Sequence, residues 1–193
     1  MFIVNSLRIN MLYSLALLLV SLSIFAFAQT PDRGDDIHKI DFRNFTYRPS
    51  CTNLSGEGQA KAVKVTNGTY SRPDPTDSLE FKIQGVVYGD LTGSGRDDAV
   101  VLTVCNTGGT GEFTEGFIYS MRSGQTKLVT NVPGGDRADG GISSAKVEKG
   151  LLKLDTFATD DGACCPQFVD TTTYKLTGNK LVQIGRSTRR KAE

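Results

Sequence analysis

Apolar and polar residues alternate with a period of two along most of the chain after residue 62. The segments 79–89, 98–105 and 115–132 show the pattern, and Val, Thr, Tyr, Phe and Ile dominate them. Successive side chains of a strand point to opposite faces of its sheet, so this alternation is typical of strands with one buried and one solvated face. No segment after residue 28 carries a convincing helical stripe. The pattern therefore predicts an all-β domain.

Turn signals separate the alternating runs. Asn67-Gly68 lies in the middle of residues 62–72 and is the strongest short hairpin signal in the chain. Further hairpins are predicted to turn at Ser123-Gly124-Gln125, at Lys149-Gly150 and at Gly178-Asn179. We expect a single disulfide-stapled domain of about nine to eleven short antiparallel strands, arranged as a meander, a sandwich or an open barrel.

The N-terminus predicts export. Residues 12–28 are apolar apart from a few serines, and they end on Ala26-Phe27-Ala28 before a polar stretch. A small-x-small triplet at this place is typical of a secretory signal peptide, with cleavage after Ala28. The alternative is an uncleaved membrane anchor, because the apolar run is almost long enough to span a bilayer. The small residues at 26 and 28 favour cleavage, and therefore a secreted or periplasmic protein with no membrane span left.

This cleavage site sets the predicted organisation of the chain. We expect a signal peptide at 1–28, a flexible lead-in at 29–37, a β domain at 38–185 and a basic tail at 186–193. The signal peptide holds one of the 22 basic residues and none of the 21 acidic ones, so the mature chain is formally neutral. Phosphate binding needs concentrated positive charge, so we expect no nucleic acid partner.

Four cysteines follow the signal peptide: Cys51, Cys105, Cys164 and Cys165. An even count in an exported chain predicts two disulfides. Because neighbouring residues of a strand face opposite ways, one bond from Cys51 and one from Cys105 to the adjacent pair is favoured. A bond within the adjacent pair would close a strained ring and is the alternative. A zinc site is disfavoured, since adjacent cysteines lack the usual ligand spacing and the chain has a single histidine.

The stretch 90–98, DLTGSGRDD, lies between two apolar strands. It resembles the calcium loop of FG-GAP and VCBS-type repeats in extracellular β proteins, although it occurs once here rather than in a series. The resemblance implies calcium ligands at Asp90, Thr92, Ser94, the carbonyl of Arg96, and Asp98. Neutral hydroxyls at two positions leave only two charged donors, and lower ligand charge means weaker calcium binding. We therefore expect a structural turn that binds calcium weakly or not at all, and no other cofactor.

One further loop is a candidate for ligand binding. In residues 133–141 the charged residues Asp136, Arg137 and Asp139 lie between paired glycines, and loops of this kind often carry function. A mobile polar loop with a local ion pair is the favoured interpretation, and binding of a ligand or ion is the alternative. The glycine-rich stretch 105–113 lacks the Gly-Lys-Ser/Thr of a phosphate-binding loop. His38 lies outside any nucleophile motif, so no catalytic residue is predicted.

The chain as a whole resembles small secreted bacterial proteins that carry one such loop and a Cys-Cys-Pro segment. The features above favour an exported, non-enzymatic β-domain protein that acts as a binding or structural module. The alternative is a secreted hydrolase that uses loop carboxylates. A cleft that gathers Asp136, Asp139 and another carboxylate with a perturbed pKa would support the hydrolase.

Overall fold

The computed structural model describes residues 36–53, 58–74, 78–160 and 165–192. The predicted signal peptide, most of the predicted lead-in and Cys164 lie outside the described residues. Within them the chain forms twelve strands and three 3₁₀ helices, which confirms the all-β class. The strands are β1 (Thr46–Tyr47), β2 (Val63–Lys64), β3 (Thr69–Arg72), β4 (Leu79–Gly89), β5 (Asp98–Asn106), β6 (Phe113–Arg122), β7 (Gln125–Val132), β8 (Ile142–Glu148), β9 (Leu151–Phe157), β10 (Phe168–Thr177), β11 (Lys180–Gln183) and β12 (Thr188–Lys191). The 3₁₀ helices are η1 (Ile37–Lys39), η2 (Phe42–Asn44) and η3 (Ser50–Asn53). In this part of the chain no helix has the length and apolar character needed to cross a membrane.

Two five-stranded antiparallel sheets form most of the fold. The first has the strand order β3-β4-β5-β6-β7, and the second has the order β11-β10-β9-β8 with β12 also paired to β10. Neighbouring strands are mostly consecutive because tight turns join them. Ser123 and Lys149 both have φ of 51°, and each precedes a glycine with positive φ, as expected of two-residue hairpin turns. The hairpin turns predicted there and at Gly178-Asn179 are confirmed.

The Asn67-Gly68 turn forms, but the hairpin predicted around it does not extend. Asn67 has φ of 53°, and a single bridge joins Thr66 to Thr69 across the turn. Beyond this bridge the two arms separate, because β2 pairs with β1 while β3 pairs with β4. The predicted turn is therefore confirmed, and the predicted pairing of its two arms is wrong.

The central strands of the first sheet, β5 and β6, are buried on both faces. Ala99, Val101 and Phe117 belong to one apolar cluster, which also contains residues of η1, η2, β1, η3 and β2. Val100 and Ile118 face the other way and pack in a second cluster with residues of β8, β9 and β10. The expectation of one solvated face is therefore wrong for β5, whose first six residues are all buried. Its continuous apolar run is what a strand between two layers requires.

Cys51 of η3 is bonded to Cys105 of β5, across 54 residues of sequence. The favoured pairing of each of these cysteines with the Cys164–Cys165 pair is therefore wrong. The segment that contains η1, β1 and η3 packs on the face of the first sheet to which Cys105 contributes, and this brings Cys51 next to it. Both cysteines are buried, at 6% and 2% exposure.

Residues 186–193, predicted as a basic tail, include the short strand β12. Arg189 of this strand makes a two-pronged contact with the Asp170 carboxylate of β10, with both nitrogen–oxygen distances at 2.8 Å. A further N–H of Arg189 lies 2.8 Å from the carboxylate of Asp160. β12 pairs with β10 although the side chains of β12 are not buried, because its cationic side chains form ion pairs with carboxylates on the neighbouring elements.

Candidate functional site

Two carboxylates organise the 90–98 loop. Asp90 accepts the backbone N–H groups of Ser94 and Gly95, at 2.9 and 2.7 Å. Asp98 is fully buried, and its Oδ2 accepts the backbone N–H groups of Leu91 and Thr92, at 2.9 and 2.8 Å. Each carboxylate thus accepts two loop amides, and of these four amides the N–H of Leu91 also donates to the carbonyl oxygen of Gly89 at 3.0 Å. The loop is closed by its own hydrogen bonds.

The other three proposed calcium ligands lie close to one another and are also engaged. The Thr92 hydroxyl lies 3.2 Å from Ser94 Oγ, and the Ser94 hydroxyl lies 3.4 Å from the carbonyl oxygen of Arg96. A calcium ion takes six to eight oxygen ligands and gains most from charged ones. Here the neutral hydroxyls bond one another, and three of the four carboxylate oxygens are engaged with backbone N–H groups. Weak calcium binding, or none, stays a prediction for this loop.

Calcium at about 1 mM is expected to raise the free energy of unfolding by at most about 0.4 kcal/mol, since a ligand at or below its Kd adds no more than that. The double change Thr92→Asn and Ser94→Asp should create a clear calcium-dependent rise in Tm, because it supplies stronger oxygen donors. Thermal unfolding with calcium and with chelator measures both effects. A large rise in the unmodified protein that Asp90→Ala abolishes would show a working calcium site instead.

The candidate ligand loop at 133–141 is built around Thr114 of β6. The carbonyl oxygen of Gly135 accepts the backbone N–H of Thr114 at 2.8 Å and its hydroxyl at 3.0 Å. The same hydroxyl oxygen accepts the N–H of Ile142 at 2.5 Å. A Cβ at Gly134 would lie 2.1 Å from the carbonyl oxygen of Thr114, so this position admits only glycine. The loop is therefore anchored at both ends to one side chain.

This loop and the loop between β5 and β6 form a cleft of about 640 Å³. The residues that line it are mostly polar: Asn106, Thr110, Gly111, Glu112, Asp136, Arg137 and Ala138. Asp136 Oδ1 accepts the N–H groups of Ala138 and Asp139, at 2.8 and 3.0 Å, and this fixes its carboxylate. The guanidinium carbon of Arg137 lies 5.7 Å from the ring centroid of Phe157, a cation–π contact. The structure thus brings two of the three candidate residues to one cleft, whereas Asp139 does not line it.

The buried carboxyl group of Glu115 is not among the residues predicted from the sequence. This residue of β6 is 7% exposed, and its Oε1 accepts the backbone N–H of Ser50 at 2.9 Å. Burial raises the pKa of Glu115, and the hydrogen bonds from Ser50 offset only part of that rise. Glu115 lies in one row with Phe113, Phe117 and Tyr119, because these residues of β6 are spaced two apart. A carboxyl group in an otherwise apolar period-two row is the signal that could have revealed it.

Glu115 lines a second cavity of about 370 Å³, which lies beside residues 133–135 at the start of the 133–141 loop. Its remaining lining residues are Ser50, Phe113, Thr114, Asn131, Val132, Pro133, Gly134 and Gly135. Glu115 and Val132 are buried, whereas Ser50, Asn131, Pro133 and Gly134 are exposed. The exposed residues therefore form the rim and the buried ones the floor.

The raised pKa of Glu115 predicts a pH-dependent loss of stability. Between the usual value of 4.5 and the raised folded-state value, the folded chain keeps a proton that the unfolded chain has lost. The contribution of Glu115 is therefore fully present below 4.5 and is lost as pH rises through the folded-state pKa. Glu115→Gln keeps the acceptor for Ser50 and carries no charge, so it should melt above the wild type near pH 7 and lack this slope. Melting curves of both proteins from about pH 4 to about pH 8 test this, and an equal or lower Tm of the variant near pH 7 would contradict it.

In comparisons with known proteins, no family model, curated protein or solved structure matches this chain.

Proposed function

We propose that this chain is an exported, non-enzymatic β-domain protein that binds a small polar ligand in the cleft between residues 106–112 and 133–141. The observation that carries the proposal is the convergence of Thr110, Glu112, Asp136 and Arg137 on one cleft of about 640 Å³. That volume is within the range of small-molecule sites, and both charge signs and a hydroxyl group are available for orientation. Because the loops are glycine-rich, backbone groups also reach the cleft surface.

Binding to the cleft can be tested by NMR with triglycine, a zwitterion, and with glucose, a neutral polar probe. We expect triglycine to shift the amide resonances of residues 110–112 and 136–138, because its termini complement the carboxylates and Arg137. Asp136→Asn should weaken the shifts at equal probe concentration. Asp139→Asn is the matched control, since Asp139 belongs to the same loop and does not line the cleft.

Two outcomes decide between binding and a purely structural role. If neither probe moves the cleft resonances, the cleft is not a site for ligands of this chemistry and a structural module is the better interpretation. If the two aspartate variants respond alike, the effect of Asp136→Asn comes from the loop as a whole rather than from a contact with the ligand.

Export is supported by the predicted cleavage site and by the Cys51–Cys105 bond, since disulfides persist mainly in oxidising compartments. Cleavage after Ala28 should leave Gln29 as the mature N-terminus, because small residues precede that bond. Intact-mass measurement on protein recovered from outside the cytoplasm tests this. A mass that retains residues 1–28 would contradict it.

The second candidate function, a secreted hydrolase, is favoured by one observation, the pair Glu112 and Asp136 in the lining of one cleft. Acid–base chemistry needs one carboxyl group with a raised pKa beside an ionised one. Glu115 has the raised pKa, yet it lines the neighbouring cavity rather than this cleft. We therefore expect no turnover of p-nitrophenyl acetate or p-nitrophenyl glucoside beyond that of Asp136→Asn; turnover that this variant abolishes would establish the hydrolase.

A further inference from the structure

Glu115 is a buried hydrogen-bond acceptor, and few polar contacts offset the cost of burying its carboxyl group. The residue is more than nine-tenths buried, and in the part of the chain that the structure describes Ser50 is the one residue whose hydrogen bonds act on its carboxyl group. Among the described residues no cation pairs with it, and the residues that line the cavity beside it carry no positive charge. Burying a carboxylate without a cationic partner is costly, so a donor with positive charge would be bound favourably at this place.

The walls of the Glu115 cavity are partly apolar. Phe113, Val132 and Pro133 line it together with the carboxyl group, and the exposed rim gives access from solvent. Small-molecule sites commonly combine apolar walls with a few polar groups that fix the orientation of the ligand. The carboxylate only accepts hydrogen bonds, so the ligand must donate them. An anionic ligand would be repelled, and a neutral hydroxyl would leave the charge unpaired.

The disulfide holds one wall of this cavity in place. Ser50 precedes Cys51, which is bonded to Cys105, and Cys105 lies opposite Phe113 in the β5–β6 pairing. Phe113 and Glu115 follow each other on one face of β6. The bond therefore ties the segment that donates the Ser50 N–H to β5, the strand paired with β6, which carries the acceptor Glu115. A preformed cavity of this kind lowers the ordering cost of binding.

We infer that the cavity lined by Ser50, Phe113, Glu115 and Pro133 is a binding site for small organic amines. The ammonium group of the ligand pairs with Glu115, and its hydrocarbon part contacts Phe113, Val132 and Pro133. This site goes beyond the cleft at 106–112 and 133–141, because its charged residue and its apolar lining are different.

The test uses benzylamine, with benzyl alcohol as the neutral probe of the same shape and benzoate as the anionic one. We expect benzylamine to shift the amide resonances of Ser50, Val132 and Gly134, and the other two probes to leave them unchanged. Glu115→Gln should weaken benzylamine at least about tenfold, as a charge-assisted hydrogen bond is lost. This variant keeps the Ser50 acceptor, and its melting curve reports whether it is folded.

Glu112→Gln is the matched control, because Glu112 is a carboxylate of the neighbouring cleft and does not line the Glu115 cavity. Its affinity for benzylamine should equal that of the wild type. The affinity of the wild type should also rise with pH through the pKa of Glu115, as the carboxylate forms. The titratable group on the same face of β6 is Tyr119, and burial raises its pKa so that it stays neutral. The neighbouring elements η3, β5 and residues 131–135 contribute residues without charge around Glu115, namely Ser50, Thr103, Asn131 and Val132.

Three results would overturn the inference. Benzylamine could fail to bind the folded wild type, or it could bind Glu115→Gln as well as the wild type. It could also shift residues 110–112 and 136–138 and lose affinity in Glu112→Gln, which would place the amine in the cleft instead. If triglycine fails to bind and benzylamine binds as expected, the proposed cleft ligand is wrong and the amine site is supported. The two proposals can therefore fail separately.

Discussion

Replacing both Cys51 and Cys105 with alanine is expected to lower the free energy of unfolding by about 4 kcal/mol. The bond joins residues 54 apart in sequence, and the entropy that a cross-link removes from the unfolded chain grows with the length of the loop it closes. The double change is preferable to a single one, because it leaves no unpaired thiol in a buried position. Denaturant unfolding in non-reducing buffer measures the difference.

The same pair of proteins in reductant provides the control. Once the bond of the wild type is reduced, its midpoint of unfolding should fall towards that of the double variant. Mass spectrometry of an unreduced digest should find the peptide with Cys51 linked to the peptide with Cys105. A link from Cys51 to Cys164 or Cys165, together with equal stability of the two proteins, would contradict the pairing.

Local features of the fold could be predicted from the sequence because short-range chemistry determines them. The turns at Ser123-Gly124 and Lys149-Gly150 need two successive residues with positive φ, and a glycine in the second position makes this conformation accessible. The period-two alternation identified the long strands for a similar reason, since it depends on neighbouring residues only. Class and hairpins therefore followed from patterns within about ten residues.

The pairing of Cys51 with Cys105 depends on contacts between distant parts of the chain. It requires residues 37–53 and 58–65 to cover one face of the first sheet, and no local pattern states which face that will be. The burial of β5 on both faces has the same origin, although its unbroken apolar run was a sign of it. The pairing of β12 depended on the positions of Asp160 and Asp170, which the local charge of the tail could not reveal.

The candidate site shows the same division. Glycines and charges marked the 133–141 loop, whereas its partner in the cleft, the loop with Thr110 and Glu112, became apparent only when both were placed in space. Glu115 was detectable in principle, since it interrupts an apolar row of β6. Its importance nevertheless depends on Ser50, which is 65 residues away in sequence. Sequence thus indicated residue types, and the fold determined which of them share a cavity.

Replacing Asp98 with alanine is expected to destabilise the protein by about 2 kcal/mol, because it leaves the N–H of Thr92 without an acceptor and the N–H of Leu91 with the carbonyl oxygen of Gly89 alone. Asp98 begins β5 with its side chain fully buried, and its carboxylate holds the N–H groups of Leu91 and Thr92. Leu91 is itself buried in the second apolar cluster, so its N–H cannot turn towards water without disturbing its packing. Asp98→Asn keeps one carbonyl acceptor and should lose less. Denaturant unfolding of the three proteins measures these differences.

Asp97→Ala is the matched control, since the neighbouring carboxylate is 46% exposed and pairs with His38 at 3.0 Å on the surface. An exposed pair of this kind contributes about 0.5 kcal/mol or less, so this variant should unfold close to the wild type. The loss in Asp98→Ala should be the same with calcium and with chelator, because the carboxylate acts through backbone amides rather than through a metal ion. A loss that appears only when calcium is present would instead make Asp98 a calcium ligand. A loss in Asp98→Ala as small as that in Asp97→Ala would mean that the N–H of Thr92 finds another partner.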